Sequence, residues 1–179
     1  MPSTLLNGIN VFLRRMEASD LERTYHWINN PELFVTMGVF GPRSKDAQRE
    51  WFENISQSQS NIVFAVCRIE DEEHIGNASL FDIDLRNRNA GLTIMLPDNA
   101  VRGKGFGKET VRLLCGYAFD YLNLHKVYCK TDNPIAAKLY ERIGFVQEGL
   151  FREHAYHYGK YVDKACYGIL KKEFWSKNE

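Results

Sequence analysis

The sequence predicts an α/β (α+β) fold, a mixed and mostly antiparallel sheet of about seven strands flanked by four helices. Three observations lead there. Runs rich in β-branched and aromatic residues, bounded by polar or glycine turns, recur along the chain between segments with helical apolar spacing. Val111, Leu114, Cys115, Ala118, Phe119 and Leu122 fall at i, i+3, i+4, i+7, i+8 and i+11, the stripe of a helix lying on a core. That helix opens through Arg102-Gly103-Lys104-Gly105-Phe106-Gly107 and is followed by another strand-like run. A strand, glycine turn, helix, strand passage places two strands side by side in parallel within the antiparallel sheet.

Each element has its own signal. Val11-Phe12-Leu13 reads as the first strand, and Ser19-Asp20-Leu21-Glu22 as a capping box for a short helix carrying Leu21, Tyr25 and Ile28, with Pro31 just beyond. A second helix is expected from Ser44 to about Ser58, burying Ala47, Trp51 and Ile55. Ile62 to Ile69 is β-rich, Asp71-Glu72-Glu73 turns the chain, and Ile75 to Leu85 alternates Phe81, Ile83, Leu85 against Asp82, Asp84. After the polar turn 86–89 comes the strand Leu92 to Leu96, ended by Pro97-Asp98-Asn99. The glycine turn then leads into a helix over 105–122, and Lys126 to Thr131 is the next strand. Asn133 and Pro134 are an N-cap and a first-turn proline, Ala136, Leu139, Tyr140 and Ile143 the apolar face, and Gly144 the C-cap. Two long strands, 145–156 and 161–170, join near Tyr158-Gly159-Lys160.

The composition bounds the function. At 179 residues, without repeats or Pro/Ser-rich linkers, the chain is expected to be a single domain over 1–179. Lys plus Arg equals Asp plus Glu at 23 each, so the basic excess of a phosphate-contacting nucleic-acid binder is absent. Positive charge nevertheless collects at the glycine turn, where Arg102, Lys104, Lys108 and Arg112 face one acid, Glu109. The four cysteines form no CxxC pair and accompany no His-rich tract, so neither a metal site nor a disulfide framework is expected. Each sits in an apolar run and reads as a buried small hydrophobe. The N-terminus lacks a basic, then apolar, leader, and the longest apolar runs are about six residues where a span needs roughly 20. A soluble cytoplasmic protein with no membrane partner is the expectation.

A helix N-terminus offers unpaired N–H donors and about half a positive charge, so a glycine-rich lead-in suits an anion such as a phosphate or diphosphate. The string GxxxxGK[ST] does not occur, and the GxGxG spacing after four strands does not fit a dinucleotide fingerprint. The arrangement resembles the GCN5-related N-acetyltransferase family (GNAT), whose acetyl-CoA signature Arg/Gln-x-x-Gly-x-Gly/Ala is met by 102–107 without substitution. Ile75-Gly76-Asn77 looks like the start of the family's third strand. Asn133-x-x-Ala136-x-x-x-Tyr140-Glu141-x-x-Gly144-Phe145 looks like its C-terminal cofactor segment, continued by Glu148-Gly149 and Arg152. The pattern is most similar to the branch that holds ribosomal-protein N-terminal, spermidine and amino-sugar acetyltransferases.

The resemblance implies a donor, acetyl-CoA, and a set of roles. Main-chain N–H groups of Gly103, Lys104, Gly105, Phe106 and Gly107 hold the CoA diphosphate, with Arg102 and Lys104 adding charge. The pantetheine arm lies between the parallel strands 92–96 and 126–131, and a main-chain N–H near Met95 stabilises the oxyanion. Asn133 is both a cap and a cofactor hydrogen-bonding residue. By pattern alone Tyr140 is a packed core tyrosine; by resemblance its hydroxyl protonates the leaving thiolate. Transfer is direct, so Cys129 is not a nucleophile.

The acceptor and the base are less constrained. The family's Ala-Glu-x-Gly is here Asn89-Ala90-Gly91-Leu92, so that carboxylate is missing. An alkyl amine of pKa about 10.4 is almost wholly protonated at pH 7, a handicap of roughly 4–5 kcal/mol, whereas an α-amine near 7.7–8.0 faces about 1 kcal/mol. The expected acceptor is therefore a peptide N-terminus or a small-molecule amine such as an amino sugar. A polyamine acetyltransferase and a non-catalytic acyl-CoA sensor are the alternatives. Asp82, Asp84, Glu148 and His154 are candidate bases, each equally a solvated strand or turn position. Trp27, Phe34, Phe40, Phe81, Tyr156 and Tyr158 are candidate pocket walls, each equally a core aromatic. The acceptor pocket is expected from 28–45 and 150–162, and a monomer or homodimer fits.

Overall fold

The computed structural model describes residues 6–31, 33, 41–98, 101 and 103–176, and its strands form one eight-stranded sheet. In chain order these are β1 (Leu6–Asn7), β2 (Val11–Arg15), β3 (Ile62–Arg68), β4 (His74–Asp84), β5 (Asn89–Met95), β6 (Lys126–Thr131), β7 (Val146–His157) and β8 (Lys160–Leu170). The sheet order is β1-β2-β3-β4-β5-β6-β8-β7, and among the described residues the only parallel pair is β5/β6. The expected parallel neighbours are thus the two strands that bracket the glycine turn and its helix. The eighth strand, β1, is two residues long and pairs with β2, too short to leave a pattern in the sequence.

Among the described residues the helices are α1 (Leu21–Ile28), α2 (Lys45–Gln57), α3 (Phe106–Gly116), α4 (Pro134–Ile143) and α5 (Lys171–Ser176). The entry into α1 begins two residues earlier than Ser19. The capping box is made by Glu17 and Asp20, with Glu17 N donating to Asp20 Oδ2 at 2.9 Å, and a 3₁₀ turn over Ala18–Asp20 leads into the helix. Ser44 caps α2 through Ala47 N at 3.1 Å, as its sequence suggests. Of the expected inner face of α2, Trp51 and Ile55 are half-buried, but Ala47 is exposed and Gln48 is buried in its place, its amide hydrogen-bonded to Thr24 Oγ1 at 3.1 Å. The long helix expected over 105–122 is α-helical only to Gly116 and closes in a π turn over Tyr117–Tyr121. Its stripe is nonetheless the core: Val111, Leu114, Cys115, Ala118 and Phe119 are essentially inaccessible.

The sheet faces divide the helices. Leu92, Ile94 and Leu96 face α3 and α4, because a Cβ placed on Gly107 would lie 3.5 Å from Leu139, 3.6 Å from Leu96 and 3.9 Å from Ile94. Side chains alternate along a strand, so Gly91, Thr93 and Met95 lie on the opposite face, toward α1 and α2.

Candidate functional site

The glycine turn ends in a helix start built for an anion. Gly103 and Gly105 have φ of +76° and +88°, and nothing lies within 4 Å of a Cβ built on either. Gly105 is the N-cap of α3 with no side-chain cap, and the first helical bond is Glu109 N to Gly105 O at 3.1 Å. The N–H groups of Phe106, Gly107 and Lys108 precede that bond and are open at the positive end of the helix. Phe106 contributes only its backbone, since its ring is buried in the core. Lys104 is exposed on the turn. Arg102 lies outside the described residues.

Beside this cradle the sheet opens. β5 and β6 pair only at Asn89/Lys126, Ala90/Val127 and Gly91/Tyr128. Beyond that β5 continues to Met95 against β4, and β6 to Thr131 against β8, with no pairs between the two. The resulting gap runs through the sheet, and Met95 stands on its β5 edge.

On the α3/α4 face of the gap, α4 starts at Asn133, whose Oδ1 accepts from Ile135 N at 2.9 Å. The capping role is therefore filled by the oxygen, and the amide N–H groups remain as donors. Tyr140 projects from α4 into the core, 5% exposed, with its ring 5.3 Å from Phe145 and 6.3 Å from Tyr167. Its hydroxyl meets the Cys129 thiol on β6. Burial, together with Cys129, pushes the Tyr140 phenol well above the ordinary tyrosine range. The Cys129 thiol is itself pushed up to about 12 by burial. A thiol so far above neutral pH is not a nucleophile there.

On the α1/α2 face, a cavity of about 100 Å³ is lined by Thr24, Ile28, Arg43, Gln48, Trp51, Val63, Asn77, Ser79, Thr93 and Met95. Met95 thus lies between the cradle on one face and this cavity on the other. Among the described residues the lining contains a guanidinium and several amide and hydroxyl groups, and no carboxylate. A larger cavity of about 620 Å³ lies on the far side of α3, between residues 6–9 and α5. Of the expected cofactor residues it touches only Gly105, so size does not identify the reaction site here.

These features decide what the chain is similar to. A model of the acetyltransferase (GNAT) domain matches residues 10–146. The chain belongs to the GCN5-related N-acetyltransferase family. A spermidine N(1)-acetyltransferase of Vibrio cholerae is 32% identical over 173 residues, covering 93% of this acetyltransferase and 96% of that protein. A putative ribosomal N-acetyltransferase, YdaF of Bacillus subtilis, is 27% identical over 178 residues, covering 92% and 93%. Among solved structures, spermidine N-acetyltransferase from Vibrio cholerae in complex with CoA and spermine superposes with a TM-score of 0.87 at 28% identity, covering 93% of this chain and 98% of that one. This protein is therefore an acetyl-CoA-dependent N-acetyltransferase with the GNAT fold. The open glycine turn and unpaired N–H groups fit a CoA diphosphate.

The position of the family's strand carboxylate is filled by an aromatic ring. A Cβ on Gly91 would fall 2.3 Å from Cε2 and Cζ of Phe81, whose ring also meets Tyr128 edge-on at 6.2 Å. Gly91 has no room for a side chain while the Phe81 ring stays where it is. None of the candidate bases lines the small cavity. Asp84 accepts from Asn87 N at 2.8 Å, Glu148 pairs with Lys126 at 2.7 Å, and His154 packs on Phe151 at the surface. Asp82 is exposed with φ +49° in the β4 bulge. Of the candidate walls, Tyr156 and Tyr158 are exposed on the β7–β8 hairpin, Trp27 packs on His74 at 4.8 Å, and Phe34 and Phe40 lie outside the described residues. The sequence reading missed Thr24, Gln48, Asn77, Ser79 and Thr93. Their signal was available in part, as polar residues on one face of β4 and β5 between apolar neighbours.

Proposed function

We propose that this acetyltransferase acetylates a primary amine of low pKa, a peptide N-terminus or an amino sugar, by direct transfer in a ternary complex. The observation that carries the proposal is the gap between β5 and β6, with an anion cradle on one face and, on the other, a cavity at Met95 whose described lining holds Arg43 and no carboxylate. In this reading the N–H groups of Gly103 to Gly107, with Arg102 and Lys104, hold the CoA diphosphate, and Asn133 donates to the cofactor while capping α4. The pantetheine enters the gap. The main-chain N–H at Met95 takes the charge that develops on the acetyl oxygen as the amine attacks.

Tyr140 then serves the leaving sulfur. Its raised pKa keeps the phenol protonated at any working pH, and it makes full transfer to a thiolate of ordinary pKa near 8.5 uphill. Tyr140 therefore acts as a neutral hydrogen-bond donor to the sulfur, with the proton crossing only as the carbon–sulfur bond breaks. A base is the weakest demand for a low-pKa amine, since roughly a tenth of an α-amine is already neutral at pH 7. Residues 1–179 then work as one domain, in the cytoplasm, as a monomer or homodimer.

The similarity to the Vibrio cholerae enzyme favours a second reading, polyamine acetylation. Arg43 in the pocket wall, with no carboxylate beside it among the described residues, opposes it, because a polyamine carries positive charge at both ends of each methylene spacer. An acceptor panel decides between them: CoA release from acetyl-CoA measured with trialanine, glucosamine, aminoglycosides and spermidine. Turnover with trialanine or glucosamine above that with spermidine supports the proposal. A higher kcat/KM for spermidine refutes it, and no turnover of any amine points to an acyl-CoA sensor.

A further inference from the structure

Behind the small cavity lies a buried polar chain that the transfer chemistry does not use. Arg14 Nη1 and Nη2 bond Asp20 Oδ2 and Oδ1 at 2.7 and 2.8 Å, and Oδ2 also accepts from Glu17 N. Asp20 Oδ1 stands 3.2 Å from His74 Nδ1, close enough for charge but without hydrogen-bond alignment. His74 Nε2 lies 2.9 Å from Asn77 Oδ1. Asp20 and His74 are both buried, and the Trp27 ring closes over the imidazole edge-on at 4.8 Å. Asn77 is half-buried and lines the cavity, and it pairs across the β4–β5 ladder with Met95.

The direction of the hydrogen bonds fixes what Asn77 shows the pocket. An amide oxygen can only accept, so His74 Nε2 carries the proton and donates to Oδ1. Oδ1 is thereby held toward the buried chain, and the Nδ2 donors of Asn77 are left for the cavity, with no other partner among the described residues. The neighbouring amide is held by protein partners: Gln48 donates to Thr24 and accepts from Arg43.

We propose that Asn77 selects the acceptor, its Nδ2–H donating to an oxygen on the carbon next to the attacking amine. The acceptor chemistry is a primary amine flanked by oxygen: the α-amino carbonyl of a peptide N-terminus or the vicinal hydroxyl of an amino sugar. His74 and Asp20 are positioning residues that act through Asn77. The inference rests on the acceptor cavity assigned above and adds the group that reads it. A cavity of about 100 Å³ has room for about three waters, enough for the amine, its carbon and one oxygen-bearing neighbour. An amine with only methylenes beside it leaves the Asn77 donor desolvated and unpaired, which is unfavourable.

The test uses the full chain with glycinamide and its apolar isostere isobutylamine as probes, each kcat/KM corrected to the neutral amine. Wild type is expected to favour glycinamide by about tenfold or more, the value of one buried hydrogen bond to an otherwise unpaired donor. Trialanine and glucosamine, run alongside, tell the peptide source from the sugar source. Asn77→Asp removes the donor at constant shape and is expected to bring the preference close to one, with the KM for acetyl-CoA unchanged. His74→Gln keeps a donor to Oδ1 and should retain the preference, whereas His74→Leu should lose it even though Asn77 is intact. A residue that merely supports folding changes the melting temperature without moving this ratio. Equal rates for both probes in wild type, or an undiminished preference in Asn77→Asp, overturn the inference. If wild type acetylates neither probe, nor trialanine or glucosamine, the acceptor assignment itself falls.

Discussion

Phe81 lies where the family's strand carboxylate would project, so Gly91 and Phe81 must be coupled. Replacing Gly91 with alanine puts a methyl group 2.3 Å from two atoms of the Phe81 ring, about 1.5 Å inside ordinary carbon contact. The ring packs edge-on against Tyr128 across the parallel pair, so it cannot retreat without giving up that contact. Overpacking of this kind costs about 1–3 kcal/mol. For a chain of 179 residues that is a fall in Tm of roughly 3–9 °C. Phe81→Ala lowers stability by itself, because a half-buried ring is lost. In the double variant the alanine at 91 meets no ring, so its cost disappears and the two changes are non-additive by about 1 kcal/mol or more. Thermal melts and urea titrations of the four proteins measure the cycle. The double variant Phe81→Ala/Gly91→Glu extends it to function: with the ring gone a carboxylate fits, and turnover of spermidine relative to trialanine should rise. Additive stabilities, or a Gly91→Ala protein as stable as wild type, would refute the packing argument.

Other outcomes follow from the same geometry. Tyr140→Phe is expected to lower kcat by tenfold to several hundredfold while the KM for acetyl-CoA stays within about twofold, because the hydroxyl serves the leaving group rather than binding. Equal loss in both parameters would instead assign Tyr140 to cofactor binding. Gly105→Val forces a branched residue to φ +88° and covers the open N–H groups, so CoA affinity measured by calorimetry should fall about tenfold or more. Cys129 and Tyr140 both titrate higher when folded than when unfolded, through burial. Their stabilising share is complete below about pH 8.5 and is lost as pH climbs toward the folded value of about 12 for Cys129. Stability measured by urea unfolding should therefore decline from pH 8.5 upward, and less steeply in Cys129→Ala.

The elements that could be read from the sequence were those whose signals are local. Asn133, Pro134 and Gly144 bound α4 as predicted, because capping depends on residues within one turn, and Gly144 takes φ +116° as a left-handed cap. The glycine turn and the stripe of α3 were legible for the same reason. The face of α2 was misread at Ala47 because the partners that hold the buried Gln48, Thr24 in another helix and Arg43 before α2, are set by the fold. The π turn at Tyr117–Tyr121 and the two-residue β1 leave no period to detect. The site divided in the same manner. The cradle is contiguous in sequence, whereas the acceptor side is assembled from α1, α2 and three strands. The loss of the glutamate at 91 was visible in the sequence, but the ring that took its space was not, since Phe81 and Gly91 meet only through the β4–β5 register. The Asp20–His74–Asn77 chain likewise joins residues whose proximity is a product of the fold.

The account turns on which amine the cavity at Met95 accepts. The most direct measurement is the ratio of kcat/KM for trialanine to that for spermidine at pH 7, followed by CoA release. The expected ratio is well above one, because the described lining of the pocket holds Arg43 and no carboxylate and an α-amine pays about 1 kcal/mol for deprotonation instead of roughly 4–5. A ratio below one would contradict it and return the protein to the polyamine acetyltransferases.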